Sequence, residues 1–425
     1  MTASESSSLS QSQSPSLPPN ASLENLRKQA KSLLKRKRKA VQGQPLPPRY
    51  TLSQAQHEIA RGVGFASWPK LVASFRGQAP AGRVRREAGR VWIDGVPPLQ
   101  WGPSPEPTYL GAMEAAFCGS ERPLDLNTMM GDSGLAFRIR WGRGADADTW
   151  CGSSPVGEWP DERAALGRAT GYRFEWTFPE KDQVHDVERI VAEIDAGRPI
   201  LAYGKQFDVS VIYGYEDAGQ TLVLSEYWSD GKPVVMPTAE IKGVTAWHTE
   251  VIDPLPRAEA VAAALKVTSK RWHEPTHGTP YEPATNYYYG PRAYDEWLAD
   301  LRRADTLTDE QRGNLYFLNG WNYSALHITR RDHAAKYLRE QSRHLPEAAQ
   351  GHADAAAGVY ERLAEYLGKW DPTDDRFGFV KQKPVSSWTA NVRHAEIDWL
   401  EGIATLESEA QGHVDQAVAM LDEPG

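Results

Sequence analysis

The segment that decides the fold class is residues 199–227, with the sequence PILAYGKQFDVSVIYGYEDAGQTLVLSEY. It contains three short apolar runs, at residues 199–203, 208–213 and 221–227, and the turn-forming sequence EDAG separates the last two. Short runs rich in Val, Ile, Leu and Tyr that are bounded by turn residues are typical of strands in a buried sheet. A fourth apolar run follows at residues 247–252. The segment therefore predicts consecutive strands of one sheet.

Helical patterns precede these strands and dominate the chain after them. Residues 108–117 place apolar side chains on one side of a helix, residues 184–196 predict a second helix, and alternation over residues 134–141 predicts a further strand. Helices first and a group of strands afterwards favour an α+β order over a βαβ alternation. Beyond Pro254 and Pro256 the patterns are long and helical.

Four parts follow from these patterns. Residues 1–20 are rich in Ser, Gln and Pro and predict a disordered tail. Residues 21–77 predict a small helical N-terminal module, residues 78–253 an α+β domain, and residues 254–425 a helical C-terminal domain.

The composition indicates a globular protein. Of the 425 residues, 40% are hydrophobic and 24% are charged, and the formal net charge of -8 does not by itself suggest nucleic acid as a partner. No apolar stretch predicts a membrane span, and the first residues lack the apolar core of a signal peptide. The two cysteines, Cys118 and Cys151, are too few for a disulfide framework. A cytoplasmic location is expected.

The N-terminal module carries a basic run, KRKRK at residues 35–39, at the end of a helix that begins near Ser22. Positive charge suits the negative end of a helix dipole, so a solvated helix terminus explains the run, and nucleic-acid binding is the alternative. The sequence FASWP at residues 65–69 is similar to a short helical segment found ahead of many unrelated bacterial domains. That resemblance implies docking to a partner or to the following domain, and no catalysis.

Several motifs together resemble the butirosin-biosynthesis acyltransferase family. They are the helix opening at Thr108, the sequence GDSGLAF at residues 131–137, GRPIL at 197–201 and VSVIYGYED at 209–217. The resemblance implies a papain-like domain, similar to bacteriocin-processing peptidases. In such domains a Cys opens the first helix, where the helix dipole lowers its pKa. A His on a later strand is the base, and an Asp or Asn orients it.

This sequence departs from the family pattern at both catalytic positions. Thr108 stands at the Cys position, and Phe207 or Asp208 stands at the His position. A threonine hydroxyl needs an adjacent base to attack a carbonyl, and a carboxylate is such a base only when its pKa is raised. We therefore expect a non-catalytic or accessory protein whose cleft binds a small molecule, a peptide or an acyl-carrier partner. The alternative is an acyltransferase or amide hydrolase that uses Thr108 with Asp208, or Cys151.

The cleft is expected between the helix of Thr108 and the strand of Asp208. Its further candidate lining residues are Tyr109, Asp132, Ser133 and Arg138. For the last three, a turn cap or a structural ion pair explains the residue as well as binding does. Cys118, ten residues into its helix, is expected to be a structural filler.

No metal or cofactor is expected. Residues 273–277, HEPTH, match the H-E-x-x-H zinc signature, but that site requires an uninterrupted helix, and Pro275 removes a backbone donor inside it. A turn between two helices explains the sequence better. The phosphate-binding patterns G-x-x-x-x-G-K-[ST] and G-x-G-x-x-G do not occur in the sequence.

Overall fold

A computed structural model gives the architecture of the chain. It describes residues 23–40, 52–63, 84–101, 107–120, 122–142, 160–172, 176–179, 185–204, 208–245, 253–274, 276–277, 287–368 and 384–422. The chain divides into two compact units, residues 1–81 and 82–425. Among the helices described, none combines the length and the apolar character that crossing a bilayer requires.

The first unit is a pair of packed helices, α1 (Leu23–Ala40) and α2 (Leu52–Gly62). Leu26 and Ala30 of α1 and Ala60 of α2 are buried. Helix α1 begins one residue after Ser22, near which the sequence predicts its start. The predicted tail at residues 1–20 and the FASWP segment lie outside the described residues.

The second unit contains an eight-stranded antiparallel sheet. Its strands are β1 (Val84–Glu87), β2 (Arg90–Ile93), β4 (Trp176–Thr177), β5 (Ile200–Tyr203), β6 (Val209–Glu216), β7 (Thr221–Ser225), β8 (Val234–Pro237) and β9 (Gly243–Thr245). The three predicted runs of residues 199–227 form β5, β6 and β7, and β6 pairs with both of the others. The predicted strand at residues 247–252 falls outside the described residues.

Strand β6 is the centre of this sheet. Its first half pairs with β5, its second half pairs with β2 on the same edge, and β7 occupies the other edge. Val209 and Val211 join the core that contains helix α3 (Thr108–Phe117), whereas Ile212 packs in a second core with Ile190. Burial on both faces explains why the strand is a nearly continuous apolar run.

The remaining helices before the C-terminal region are short. They are α4 (Leu126–Asp132), α5 (Pro160–Thr170) and α6 (Val187–Asp195). The predicted strand at residues 134–141 is wrong over most of its length, because residues 135–137 form a 3-10 helix after Gly134, whose φ is +77°. Only its end enters β3 (Arg140–Gly142), which pairs with β11 (Tyr287–Tyr289), itself paired with β10 (Thr276–His277).

The C-terminal half is helical, as predicted. Its helices are α7 (Arg257–His273), α8 (Gly290–Arg303), α9 (Asp309–Leu326), a π-helix (His327–Ala334), α10 (Ala335–Gln341), α11 (Glu347–Gly368) and α12 (Ala390–Asp422). A π-helical segment therefore interrupts the helical run of residues 309–341. The α+β class holds for the described residues.

The sheet and the C-terminal helices share one hydrophobic core. Buried residues of α3 and β6 belong to the same cluster as those of α8, α11 and α12. Residues 82–425, which span the predicted boundary at 253/254, form one compact unit. Apolar side chains recur every 3.6 residues on a helix, whether the helix packs against another helix or against a sheet. The sequence pattern therefore does not show which kind of element a helix packs against.

Candidate functional site

The candidate site begins at the first residue of α3. Thr108 directly follows the N-cap residue Pro107, and the first backbone hydrogen bond of the helix runs from the Gly111 N–H to the Pro107 carbonyl. Thr108 is only 3% exposed, and its Oγ1 has no hydrogen-bond partner among the described residues. A buried hydroxyl without a partner costs free energy of about 1–3 kcal/mol, so it requires an explanation. Its position at a helix N-terminus favours ligand groups that accept hydrogen bonds.

Asp208, directly before β6, is the second residue of the site. Its carboxylate accepts a 2.6 Å hydrogen bond from the indole N–H of Trp228. Burial raises the pKa of Asp208, and the Trp228 indole and the Thr108 hydroxyl oppose that shift. The Thr108 hydroxyl is therefore close enough to influence the Asp208 carboxylate. The distance and angles of Thr108 Oγ1 nevertheless do not satisfy the criteria for a hydrogen bond with any described residue. The structure therefore brings together Thr108 and Asp208, which are 100 positions apart in the sequence.

Aromatic side chains adjoin both polar residues. Trp228 is 58% exposed and packs edge-on against Trp101, with ring centroids 5.6 Å apart. On the side of α3, the buried Tyr109 ring lies 6.2 Å from Trp176, which in turn lies 4.4 Å from Tyr203. Exposed aromatic surface beside a small number of polar groups is typical of ligand pockets.

Three other predicted lining residues are occupied by structural contacts. Asp132 accepts two 2.6 Å hydrogen bonds from the Arg257 guanidinium. Arg138 forms a buried ion pair with Glu162, at 2.8 Å. The Ser133 hydroxyl donates to the carbonyl of Met130. The contacts of these three residues agree with the turn-cap and ion-pair interpretations of the sequence, because buried charges require partners.

Cys118 does not contribute a thiol to this geometry. Cys118 caps the opposite end of α3, and its Sγ lies 3.6 Å from the Gly95 carbonyl oxygen. Cys151 and Phe207 lie outside the described residues. Within the described part of the chain, neither a Cys nor a His side chain bonds the Thr108 hydroxyl.

The H-E-x-x-H sequence does not form a helix. Helix α7 ends at His273, whose Nε2 lies 2.9 Å from a carboxylate oxygen of Asp415. His277 belongs to β10 and pairs with Tyr287. The two histidines therefore do not share a helix face, and the described residues contain no group of three or more His, Cys, Asp or Glu that could hold a metal ion.

A groove that the sequence analysis missed lies on the outer part of the sheet. It has a volume of about 770 Å³ and includes neither Thr108 nor Asp208 among its lining residues. A register shift at Tyr213 creates a β-bulge beside it, and a Cβ on Gly214 would lie 2.7 Å from the Val91 carbonyl oxygen. The Tyr-Gly pair inside an apolar strand was the available sequence signal, because glycine in a strand often marks a bulge or a close backbone approach.

A scan against protein-family models finds no match for this chain, and neither the search of curated proteins nor that of solved structures finds one.

The first prediction concerns the ionisation of Asp208. A pKa above the ordinary 3.8 means that folding favours the protonated carboxyl. This contribution to stability is complete below the unfolded pKa and is lost as pH rises through the folded pKa. We expect the indole N–H resonance of Trp228, assigned by its loss in Trp228→Phe, to titrate with a midpoint above 3.8. The same resonance should show no such titration in Asp208→Asn, and a midpoint at or below 3.8 in the unmodified protein would contradict the assignment.

Proposed function

We propose that this protein is a non-catalytic binding protein whose ligand occupies a cleft at the start of α3 and of β6. One observation carries the proposal. The buried Thr108 hydroxyl, without a partner among the described residues, lies beside the Asp208 carboxylate at the N-terminus of a helix. The sequence resemblance to a papain-like domain supports the same location, because the cleft of such a domain lies between its first helix and a later strand.

The chemistry of the two residues supports binding over catalysis. Covalent catalysis by a hydroxyl requires a base that accepts its proton. The Asp208 carboxylate already accepts a hydrogen bond from Trp228, which opposes the rise in pKa that burial causes and occupies one of its lone pairs. Replacement of both inherited catalytic residues leaves a polar pair suited to hydrogen bonding.

The same pair suggests what the ligand offers. The Thr108 hydroxyl and the helix N-terminus donate hydrogen bonds, and the Asp208 carboxylate accepts them. An amide group satisfies both, because its carbonyl accepts and its N–H donates. The exposed face of Trp228 suits an apolar group next to that amide. A small molecule, a peptide and the amide-containing arm of an acyl carrier all have these features.

The second prediction tests this binding. Calorimetric titration with N-acetyl-phenylalaninamide should detect binding, and each of Thr108→Val and Asp208→Asn should weaken it by about tenfold, the value of one hydrogen bond of about 1.4 kcal/mol. The free acid of the same probe should bind less well than the amide, because its carboxylate faces Asp208. Thr108→Val should not lower protein stability, since it removes a hydroxyl that has no hydrogen-bond partner among the described residues.

The control is Arg362→Ala, which removes an exposed side chain on α11. It should bind the amide as the unmodified protein does. Amide binding that is equal in Thr108→Val, Asp208→Asn and the control would remove the support for this cleft.

One observation favours the alternative, an acyltransferase or amide hydrolase. The net pKa of Asp208 is raised, and this is the condition under which a carboxylate becomes a useful base. In that reaction Thr108 Oγ1 attacks an acyl carbonyl, its proton passes to Asp208, and the leaving group takes the proton as the acyl ester forms. Intact-mass spectrometry after incubation with p-nitrophenyl acetate decides between the two. An acetyl adduct on Thr108 that is absent in Thr108→Val and Asp208→Asn would replace the binding proposal with the catalytic one.

A further inference from the structure

Charge is divided unequally between the two compact units. Residues 1–81 contain 12 Lys and Arg against three acidic residues, a formal charge of +9, whereas residues 82–425 carry -17. The net charge of -8 for the whole chain conceals this division. Within the first unit, α1 alone carries eight basic residues and one Glu. A charge asymmetry of this size indicates a polyanionic partner for the basic part.

Three of the basic residues of α1 lie in a row on one face of the helix. Lys28, Lys31 and Lys35 follow each other at spacings of three and four residues and are all exposed. Residues at this spacing lie in a row along a helix, with about 4.5 and 6 Å of rise between them. Leu26 and Ala30, which are buried, lie on the opposite side of α1. The helix therefore carries a continuous row of lysine side chains on its exposed side.

The apolar face of α1 is buried within the first unit. Leu26 and Ala30 of α1 are buried in a unit where α1 packs on α2, and Lys37 forms a 3.5 Å ion pair with Glu58 of α2. A helix that binds a membrane surface inserts its apolar face among the lipids. Because that face of α1 is buried, the lysine row is suited to a partner that offers negative charge and no apolar layer.

Helix α1, which carries the lysine row, contains no Phe, Tyr or Trp. Proteins that bind single-stranded nucleic acid stack its bases on such side chains. A row of ammonium groups without aromatic platforms instead matches the phosphates of a duplex, which it contacts without reading the bases. The major groove of B-form DNA, about 12 Å wide, admits an α-helix, whereas that of an RNA duplex is deep and narrow.

We infer that the lysine row of α1, formed by Lys28, Lys31 and Lys35, binds the phosphate backbone of double-stranded DNA without sequence preference. This inference does not depend on the cleft of Thr108 and Asp208. It assigns the small helical module a role as a non-specific DNA contact.

The third prediction tests the lysine row. Fluorescence anisotropy with the full chain and a labelled 20-base-pair duplex, between 50 and 300 mM NaCl, should show affinity that falls steeply with salt. The triple variant Lys28→Gln, Lys31→Gln and Lys35→Gln should reduce the slope of log K against log salt by about 2.7, since each phosphate contact contributes about 0.9. At 0.1 M salt this corresponds to a loss of affinity of about a hundredfold or more.

The matched control removes three exposed positive charges elsewhere. Arg168→Gln, Arg189→Gln and Lys232→Gln change the net charge equally, and their side chains are exposed in the second unit. This triple variant should keep the salt slope of the unmodified protein. Should the first triple variant fail to fold by circular dichroism, each single Lys→Gln variant should still lower the slope by about 0.9.

Four results would overturn the inference. They are absence of binding to the duplex, an unchanged slope in the lysine variants, tighter binding to an RNA duplex of the same sequence, and stronger binding to phosphatidylserine vesicles than to DNA. Thr108→Val and Asp208→Asn should leave DNA binding unchanged, so failure of this inference and failure of the cleft proposal are distinguishable.

Discussion

Arg330→Met is expected to lower the free energy of unfolding by about 3–5 kcal/mol, because it leaves Glu407 buried without its partner. The Arg330 guanidinium, fully buried in the π-helix, lies 2.7 and 2.9 Å from the two carboxylate oxygens of Glu407. It also donates to the backbone carbonyls of Phe137 and Arg138, each at 2.7 Å. Burial lowers the pKa of Arg330, but the ion pair with Glu407 outweighs burial and leaves the pKa above its ordinary value. Urea denaturation measures the loss.

The matched control is a second ion pair, whose glutamate lies two residues after Glu407 on α12. Arg362 pairs with Glu409, and both side chains are about half exposed, so Arg362→Ala should cost less than about 1 kcal/mol. Glu407→Gln should destabilise the protein by an amount similar to Arg330→Met. The double variant Arg330→Met with Glu407→Leu should recover part of the loss, because it leaves no unpaired buried charge. Equal losses of unfolding free energy in Arg330→Met and Arg362→Ala would show that burial does not determine how much an ion pair contributes to stability.

Gly290→Ala is expected to destabilise the protein by about 3–5 kcal/mol, the sum of backbone strain and overpacking. Gly290 begins α8 with a φ of +54°, in the left-handed region that residues with a Cβ rarely adopt. A Cβ at this position would also lie 2.0 Å from the backbone carbonyl oxygen of Trp272. Backbone cannot move aside as a flexible side chain does, so the junction of α7 with β11 and α8 must shift. Thermal and urea unfolding measure this cost.

Gly313→Ala is the corresponding control. Gly313 lies inside α9, and a Cβ there would meet nothing within 4 Å. Alanine has a higher helix propensity than glycine, so this variant should stabilise the protein by up to about 1 kcal/mol. A destabilisation by Gly290→Ala no larger than about 1 kcal/mol would show that the turn accommodates a side chain.

Local patterns were sufficient for much of the fold. Helix α3 and strand β6 were both predicted from residue periodicity, since each buries a repeating set of apolar side chains. The prediction at residues 134–141 failed because an alternating pattern does not show that Gly134 turns the chain into a 3-10 helix. The same patterns placed Thr108 and Asp208 at the ends of their elements. Their proximity could be inferred only through the resemblance to a family.

The sequence by itself determined the α+β class, the order of helices and strands, and the separate basic character of the N-terminal unit, because these depend on neighbouring residues. Only the tertiary structure decided which polar residues are structural. It pairs Asp132 with Arg257 and Arg330 with Glu407, and it leaves the Thr108 hydroxyl beside Asp208 without a hydrogen-bond partner among the described residues. The free energy that a charge or a hydroxyl contributes depends on its burial and on partners from distant segments of the chain. A pattern of neighbouring residues in the sequence does not contain that information.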